Sequence, residues 1–131
     1  MVDTRNKILG LSEAVEFVRK RDPDGPAARL ITGYFDPVVA AHARRLEGLR
    51  SGPSPLVVVV TDPPDPILPL RARAELVAAL SAADWVVPVP AEQIREALEK
   101  LGASVLERCE DEDLRLRQEL ICHVHTRQRA R

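Results

Sequence analysis

The chain has 131 residues, 45% of them hydrophobic and 30% charged, a profile of globular protein with a real core and not of disorder. Nineteen Lys and Arg stand against twenty Asp and Glu, a net charge of -1, which excludes nucleic-acid or anionic-membrane binding driven by bulk charge. Aromatics are only 3%, two cysteines cannot frame a disulfide-rich secreted fold, and the longest aliphatic run, residues 56–60, is far too short to cross a bilayer. The first residues, Met1-Val2-Asp3-Thr4-Arg5, carry no apolar signal core. The expectation is a cytoplasmic protein with neither nucleic acid nor membrane as partner.

In chain order, Ser12 reads as a helix N-cap, followed by Glu13 and Glu16 and an apolar face of Ala14, Val15, Phe17 and Val18. Asp22-Pro23-Asp24-Gly25-Pro26 reads as a turn, so residues 1–25 form a leader helix and linker. A short apolar run over 28–32 ends at Gly33. From Pro37 onward Val38, Val39, His42, Leu46 and Leu49 recur at helical steps, until Ser51-Gly52-Pro53-Ser54-Pro55 breaks the pattern. Residues 56–61 are the clearest strand: apolar without alternation, as a strand covered on both faces requires.

A loop over 62–69 follows, with four prolines in eight residues. The pattern then predicts a helix over 70–80, a strand over 85–89, a helix over 91–101 closed by Gly102, and a strand over 103–106. A final helix from 111 to about 127 is acidic at its start and basic at its end, which suits the macrodipole; residues 108–131 make up this charged C-terminal segment. Strands alternating with helices give right-handed βαβ units. The fold class is α/β, a Rossmann-like three-layer sandwich with a parallel sheet of four or five strands, and one domain over 1–131.

In open parallel sheets ligands bind at the carboxyl ends of the strands, near the point where strand order reverses. The first strand-to-helix turn is Thr32-Gly33-Tyr34-Phe35-Asp36-Pro37-Val38-Val39-Ala40-Ala41-His42. Gly33 permits close backbone approach, the next helix aims its N–H groups at the turn, and His42 falls about one turn inside it. This stretch resembles the signature of the nucleotidyltransferase superfamily, in its cytidylyltransferase-like branch, to which glycerol-phosphate cytidylyltransferase and the nucleotidyltransferase domain of ADP-heptose synthase belong. That signature is Gly-x-Phe-Asp, two residues, then His-x-Gly-His; Gly33, Phe35, Asp36 and His42 match it. The helix from Leu70, with Arg73-Ala74-Glu75, running into Asp84-Trp85-Val86-Val87 resembles the family too, and so does the leader from Lys7 to Val18.

The resemblance implies transfer of a nucleotidyl group from a nucleoside triphosphate, CTP or ATP, to a sugar or polyol phosphate, with Mg²⁺ and release of pyrophosphate. It implies His42 as the catalytic residue, Gly33, Tyr34, Phe35, Asp36, His42, Arg71 and Arg73 on the nucleotide, Asp62 on the second substrate, and a homodimer. Three departures stand against activity. Val39 and Ala41 replace the first histidine and the glycine of the signature. Glu110-Asp111-Glu112-Asp113 stands where the family has a Ser/Thr-rich phosphate-holding turn. The proline loop lacks the basic residues usual there.

Removing one such donor typically lowers the rate by about 10²–10³. Catalysis is therefore expected to be weakened or lost, and a non-catalytic nucleotide- or sugar-phosphate-binding, regulatory or scaffolding role is the alternative. A purely structural interaction protein using its charged last helix is a third reading. Each candidate also has a plain structural explanation: Asp36 as a helix cap, His42 as a buried helix histidine, Arg71 and Arg73 as solvated or paired, Asp62 as a turn cap. Cys109, Cys122, His123 and His125 match no common zinc spacing, and no metal ligands are assigned. The basic tail over 127–131 reads as a solvated helix end.

Overall fold

A computed structural model describes residues 3–20, 28–50, 53–102 and 105–129. The expected 22–26 turn, Ser51-Gly52, the expected start of the fourth strand at Ala103 and the last two residues lie outside that set. Four strands form a parallel sheet: β1 (Arg29–Gly33), β2 (Leu56–Val60), β3 (Trp85–Pro88) and β4 (Val105–Arg108). Their spatial order is β3-β2-β1-β4. The chain moves outward from β1 through β2 to β3, then returns to the other side of β1 for β4. The order therefore reverses between β1 and β4, and the crevice at their carboxyl ends is where a ligand would sit.

Successive side chains of a strand point to opposite faces, and β2 shows both faces covered. All five of its residues are buried. Val58 and Val60 pack in one core with Ile31, Leu46 and Val77; Val57 and Val59 pack in the other with Leu30, Ala97 and Leu101. Helices α2 (Ala40–Leu49) and α3 (Leu70–Ala78) contribute to the first core, α1 (Leu11–Arg19) and α4 (Ile94–Leu101) to the second. The unbroken valine run of β2 thus has the cause inferred from sequence. Gly102 closes α4 in the left-handed conformation, φ 53°.

Element boundaries shift where a cap differs from the expected one. Helix α1 is capped by Gly10, not Ser12: the Glu13 carboxylate accepts from the Gly10 N–H at 3.2 Å, and Ser12 lies inside the helix. The leader then joins the sheet, Ile8 bridging to Val86 and Leu9 N–H donating to the Val86 carbonyl at 2.8 Å. Helix α2 starts at Ala40, three residues later than its apolar pattern suggests, with Val39 at the cap. Helix α5 runs Glu110–Arg129. Among the described residues, no helix is long and apolar enough to cross a membrane.

Leu46 is fully buried between α2 and the sheet. Leu46→Ala is expected to lower unfolding free energy by about 2–5 kcal/mol, read from the midpoint of urea unfolding at unchanged slope. Loss of slope instead would show that the two cores unfold separately.

Candidate functional site

The turn after β1 is built around a buried carboxylate that comes from the far end of the chain. Phe35 is fully buried and adopts a left-handed backbone, φ 49°, a conformation a bulky residue holds only where its surroundings impose it. It turns two successive N–H groups to one side, as in an anion-binding nest. The Tyr34 and Phe35 N–H groups donate to Asp113 Oδ2 at 2.7 and 3.2 Å. His42 Nε2 lies 3.0 Å from Asp113 Oδ1, and Arg45 Nη1 lies 2.7 Å from the same oxygen. A Cβ placed on Gly33 would stand 2.5 Å from Asp113 Oδ2 and 2.8 Å from the Phe35 ring. Only glycine leaves room for the carboxylate.

The hydrogen bonds settle the tautomer of His42. The Val39 N–H donates to Nδ1 at 3.0 Å, so Nδ1 is the acceptor and Nε2 carries the proton given to Asp113. His42 is buried, and its ring stacks at a tilt on Phe35, centroids 5.1 Å apart. Burial alone would push the Asp113 carboxyl up. The hydrogen bond from His42 and the charge of Arg45 outweigh it and hold the carboxyl below its ordinary value. Tyr34 shifts the other way: partial burial, then the nearby charges of Glu110 and Asp111, push its phenol up.

The other expected ligands have different partners. Asp36 does not cap α2; it accepts the N–H groups of Ile67 at 2.7 Å and Leu68 at 2.9 Å, tying the proline loop to the turn. Arg73 is completely buried. It donates to the carbonyls of Tyr34 at 2.9 Å, Thr61 at 2.6 Å and Leu68 at 3.0 Å, and pairs with Asp62. Its donors thus hold the turn after β1 and both ends of the proline loop together at the sheet's carboxyl edge. Arg71 is exposed and pairs with Glu75 one turn on, at 3.3 Å. Gly33, Tyr34, Phe35, Asp36, His42, Asp62 and Arg73 therefore meet in one network, and Arg71 lies outside it.

Arg45 escapes sequence reading, and Asp113 enters it only as one of four carboxylates that the resemblance sets against a phosphate. Arg45 follows His42 by three positions, so the two share a helix face, a signal that was available. Asp113 sits in an acidic run that reads locally as a good helix start; only the return of β4 to the side of β1 brings it to the turn. Glu110, from the same run, accepts the Thr32 hydroxyl and pairs with Arg108 at 2.8 Å.

These carboxylates do not fit a resident Mg²⁺. Asp113 already faces four nitrogen donors, and Glu110 and Asp62 are each paired with an arginine. Among the described residues no group of three or more His, Cys, Asp or Glu is placed to hold a metal ion. Cys109 is buried, which pushes its thiol up despite the nearby Arg45, while Cys122, His123 and His125 lie on the exposed end of α5.

No family model matches this chain. The chain is similar to the bifunctional protein HldE of Chromohalobacter salexigens. The two are 35% identical over 100 residues, a stretch that covers 66% of this chain and 21% of HldE. The chain thus spans about a fifth of the length of the relative it matches.

The depressed pKa of Asp113 sets an expected pH dependence. Its stabilisation is fully present above the ordinary carboxylate value of 3.8 and is lost as pH falls through the lower folded value. Asp113→Asn is expected to lower stability at pH 7 by about 2–4 kcal/mol. The gap to the parent protein should narrow as pH drops below the ordinary value. Urea unfolding at a series of pH values checks this, and a gap that stays constant down to pH 2 would show that charge is not what Asp113 contributes.

Proposed function

We propose that the chain is a cytidylyltransferase-like domain of the nucleotidyltransferase fold that keeps the anion-binding turn and has weakened or lost nucleotidyl transfer, and that it acts by binding a nucleotide or sugar phosphate. The similarity to HldE and the position of the turn at the reversal of strand order support the family. One observation carries the loss of transfer: both ring nitrogens of His42 are engaged inside the protein, Nδ1 by the Val39 N–H and Nε2 by Asp113.

Transfer of a nucleotidyl group needs little covalent help from a protein. It needs donors fixed around the reacting phosphorus and the leaving pyrophosphate. In this chain Val39 offers no side-chain donor, Ala41 adds a methyl where the family has glycine, and a carboxylate fills the turn. Each missing donor typically lowers the rate by about 10²–10³. Arg73, the cation nearest the turn on α3, is held by three carbonyls and Asp62. Mg²⁺, where it takes part, enters with the phosphates of the nucleotide as their counter-ion.

A thermal-shift screen with CTP, ATP, their monophosphates and sugar phosphates, with and without Mg²⁺, tests the reading alongside a pyrophosphate-release assay. A ligand at 100 times its dissociation constant should stabilise the domain by about 2.7 kcal/mol, and a shift of that kind without pyrophosphate release is expected. Release above the protein-free rate would overturn the loss of catalysis. No shift with any of these ligands would overturn the binding role.

A further inference from the structure

The donors at the turn fill the four lone-pair sites of a carboxylate and leave N–H groups of Arg45 to spare. Asp113 Oδ2 takes the two N–H groups, and Oδ1 faces both His42 and Arg45. The Arg45 side chain is only 11% exposed. Its Nε, Nη1 and Nη2 are buried and have no aligned hydrogen-bond acceptor among the described residues. The second acidic group nearby, Glu112, lies 3.8 Å from Nη2. A guanidinium favours aligned, two-pronged bonds to an oxyanion, and buried donors left without them are costly. A tetrahedral oxyanion offers more oxygens, in more directions, than the planar carboxylate seated there.

We propose that Asp113 is a displaceable internal occupant of an anion site of which Arg45 is a ligand, and that a phosphate group entering this site ejects Asp113 and releases the head of α5. This rests on the reading of the turn as a surviving anion site; the role of Arg45 and the coupling to α5 go beyond it. The incoming group takes over the N–H groups of Tyr34 and Phe35, the Nε2–H of His42 and the unaligned N–H groups of Arg45. Helix α5 is held through its first turns, around Asp113. Asp113 is its only buried residue among those described. Its remaining ties are Glu110 to Thr32 and Arg108, Glu112 to Arg45 at 3.8 Å, and Arg117 to the carbonyls of Pro64 and Asp65 at 3.2 and 3.3 Å and to Asp36 at 3.8 Å. From Cys122 to its end the helix is exposed. The internal carboxylate thus competes with the ligand, and apparent affinity falls in proportion to the fraction of molecules with the site open.

Calorimetric titration with inorganic pyrophosphate tests this on the full chain, on Asp113→Ser and on Asp113→Ser combined with Arg45→Gln. Asp113→Ser should bind at least about tenfold tighter than the parent protein, and adding Arg45→Gln should abolish the gain. In the parent protein, saturating pyrophosphate should speed amide hydrogen exchange over residues 110–117. Equal binding by the parent and Asp113→Ser would overturn the competition while leaving the turn an anion site. No binding by either folded protein would overturn both. A gain that survives Arg45→Gln would remove Arg45 from the site. Should Asp113→Ser fail to fold, the exchange measurement decides alone: unchanged or slower exchange over 110–117 with pyrophosphate present overturns the displacement.

Discussion

A negative charge taken out of water at the carboxyl end of β1 has to be answered by donors on every side, and the region around the turn is arranged to do so. The Asp113 side chain is only 1% exposed. An isolated carboxylate in such a place would take up a proton. It stays ionised because backbone N–H groups, an imidazole and a guanidinium converge on it. Several sequence choices follow from this. Position 33 must lack a side chain, since a Cβ there would collide with the carboxylate. Phe35 must hold a left-handed backbone to present its N–H. His42 must keep its proton on Nε2, which the Val39 N–H ensures by occupying Nδ1. Charge at one atom of α5 thereby constrains the turn and the first turn of α2.

Behind this carboxylate lies a mirror arrangement, a buried cation answered by oxygens. Arg73 reaches from α3 to carbonyls on the β1 turn, the end of β2 and the proline loop. Asp36 completes it by accepting two N–H groups of that loop. The proline loop, with no regular structure of its own, is therefore fixed from the interior by Arg73 and Asp36 and from α5 by Arg117. The two interior groups use hydrogen bonds to backbone, which satisfy the charge and remove the freedom of the loop together. The carboxyl edge of the sheet is consequently rigid on the β2 side. It is held on the β4 side mainly by Asp113 and its neighbours on α5.

What local pattern determines was legible, and what long-range return determines was not. The apolar continuity of β2, the parallel sheet and the glycine closing α4 all follow from near neighbours in sequence. So does the importance of the turn at Gly33, since it rests on the general position of ligands in parallel sheets. Helix starts moved by two or three residues because capping partners compete: Glu13 serves Gly10 better than Ser12 serves the helix, and His42 fixes Val39 as the cap. Arg73 is expected from the resemblance on the nucleotide, or else solvated or paired; that it is buried depends on the β1 turn and both ends of the proline loop arriving together. Asp113 reads as one of four carboxylates at a helix start. Nothing local separates it from Asp111 or Glu112, which stay exposed. Strand order brings the head of α5 to the turn, and the phase of the helix decides which carboxylate faces it.

The presence of Val39 at the head of α2 bears on more than a missing donor. Helix α2 begins at Val39 without a side-chain cap from that position, and the side chain that answers the Val39 N–H is His42, reaching back three residues as Glu or Gln does in a capping box. His42 is thus divided between two tasks. Its Nδ1 bond is local, within one turn of helix, and forms wherever α2 forms. Its Nε2 bond to Asp113 spans most of the chain and depends on α5 staying docked. The two bonds differ in what must move to break them: the first requires unwinding the helix start, the second the withdrawal of one side chain of a helix that is half-buried in its first three turns and exposed from Cys122 on. Any ligand that uses His42 therefore meets Nε2 and not Nδ1, and approaches along the line that Asp113 now occupies. The shape of the turn and the carboxylate buried in it are in this sense a single feature. The imidazole edge, the N–H groups and the glycine gap together call for an oxygen that carries negative charge, and this sequence supplies its own in Asp113.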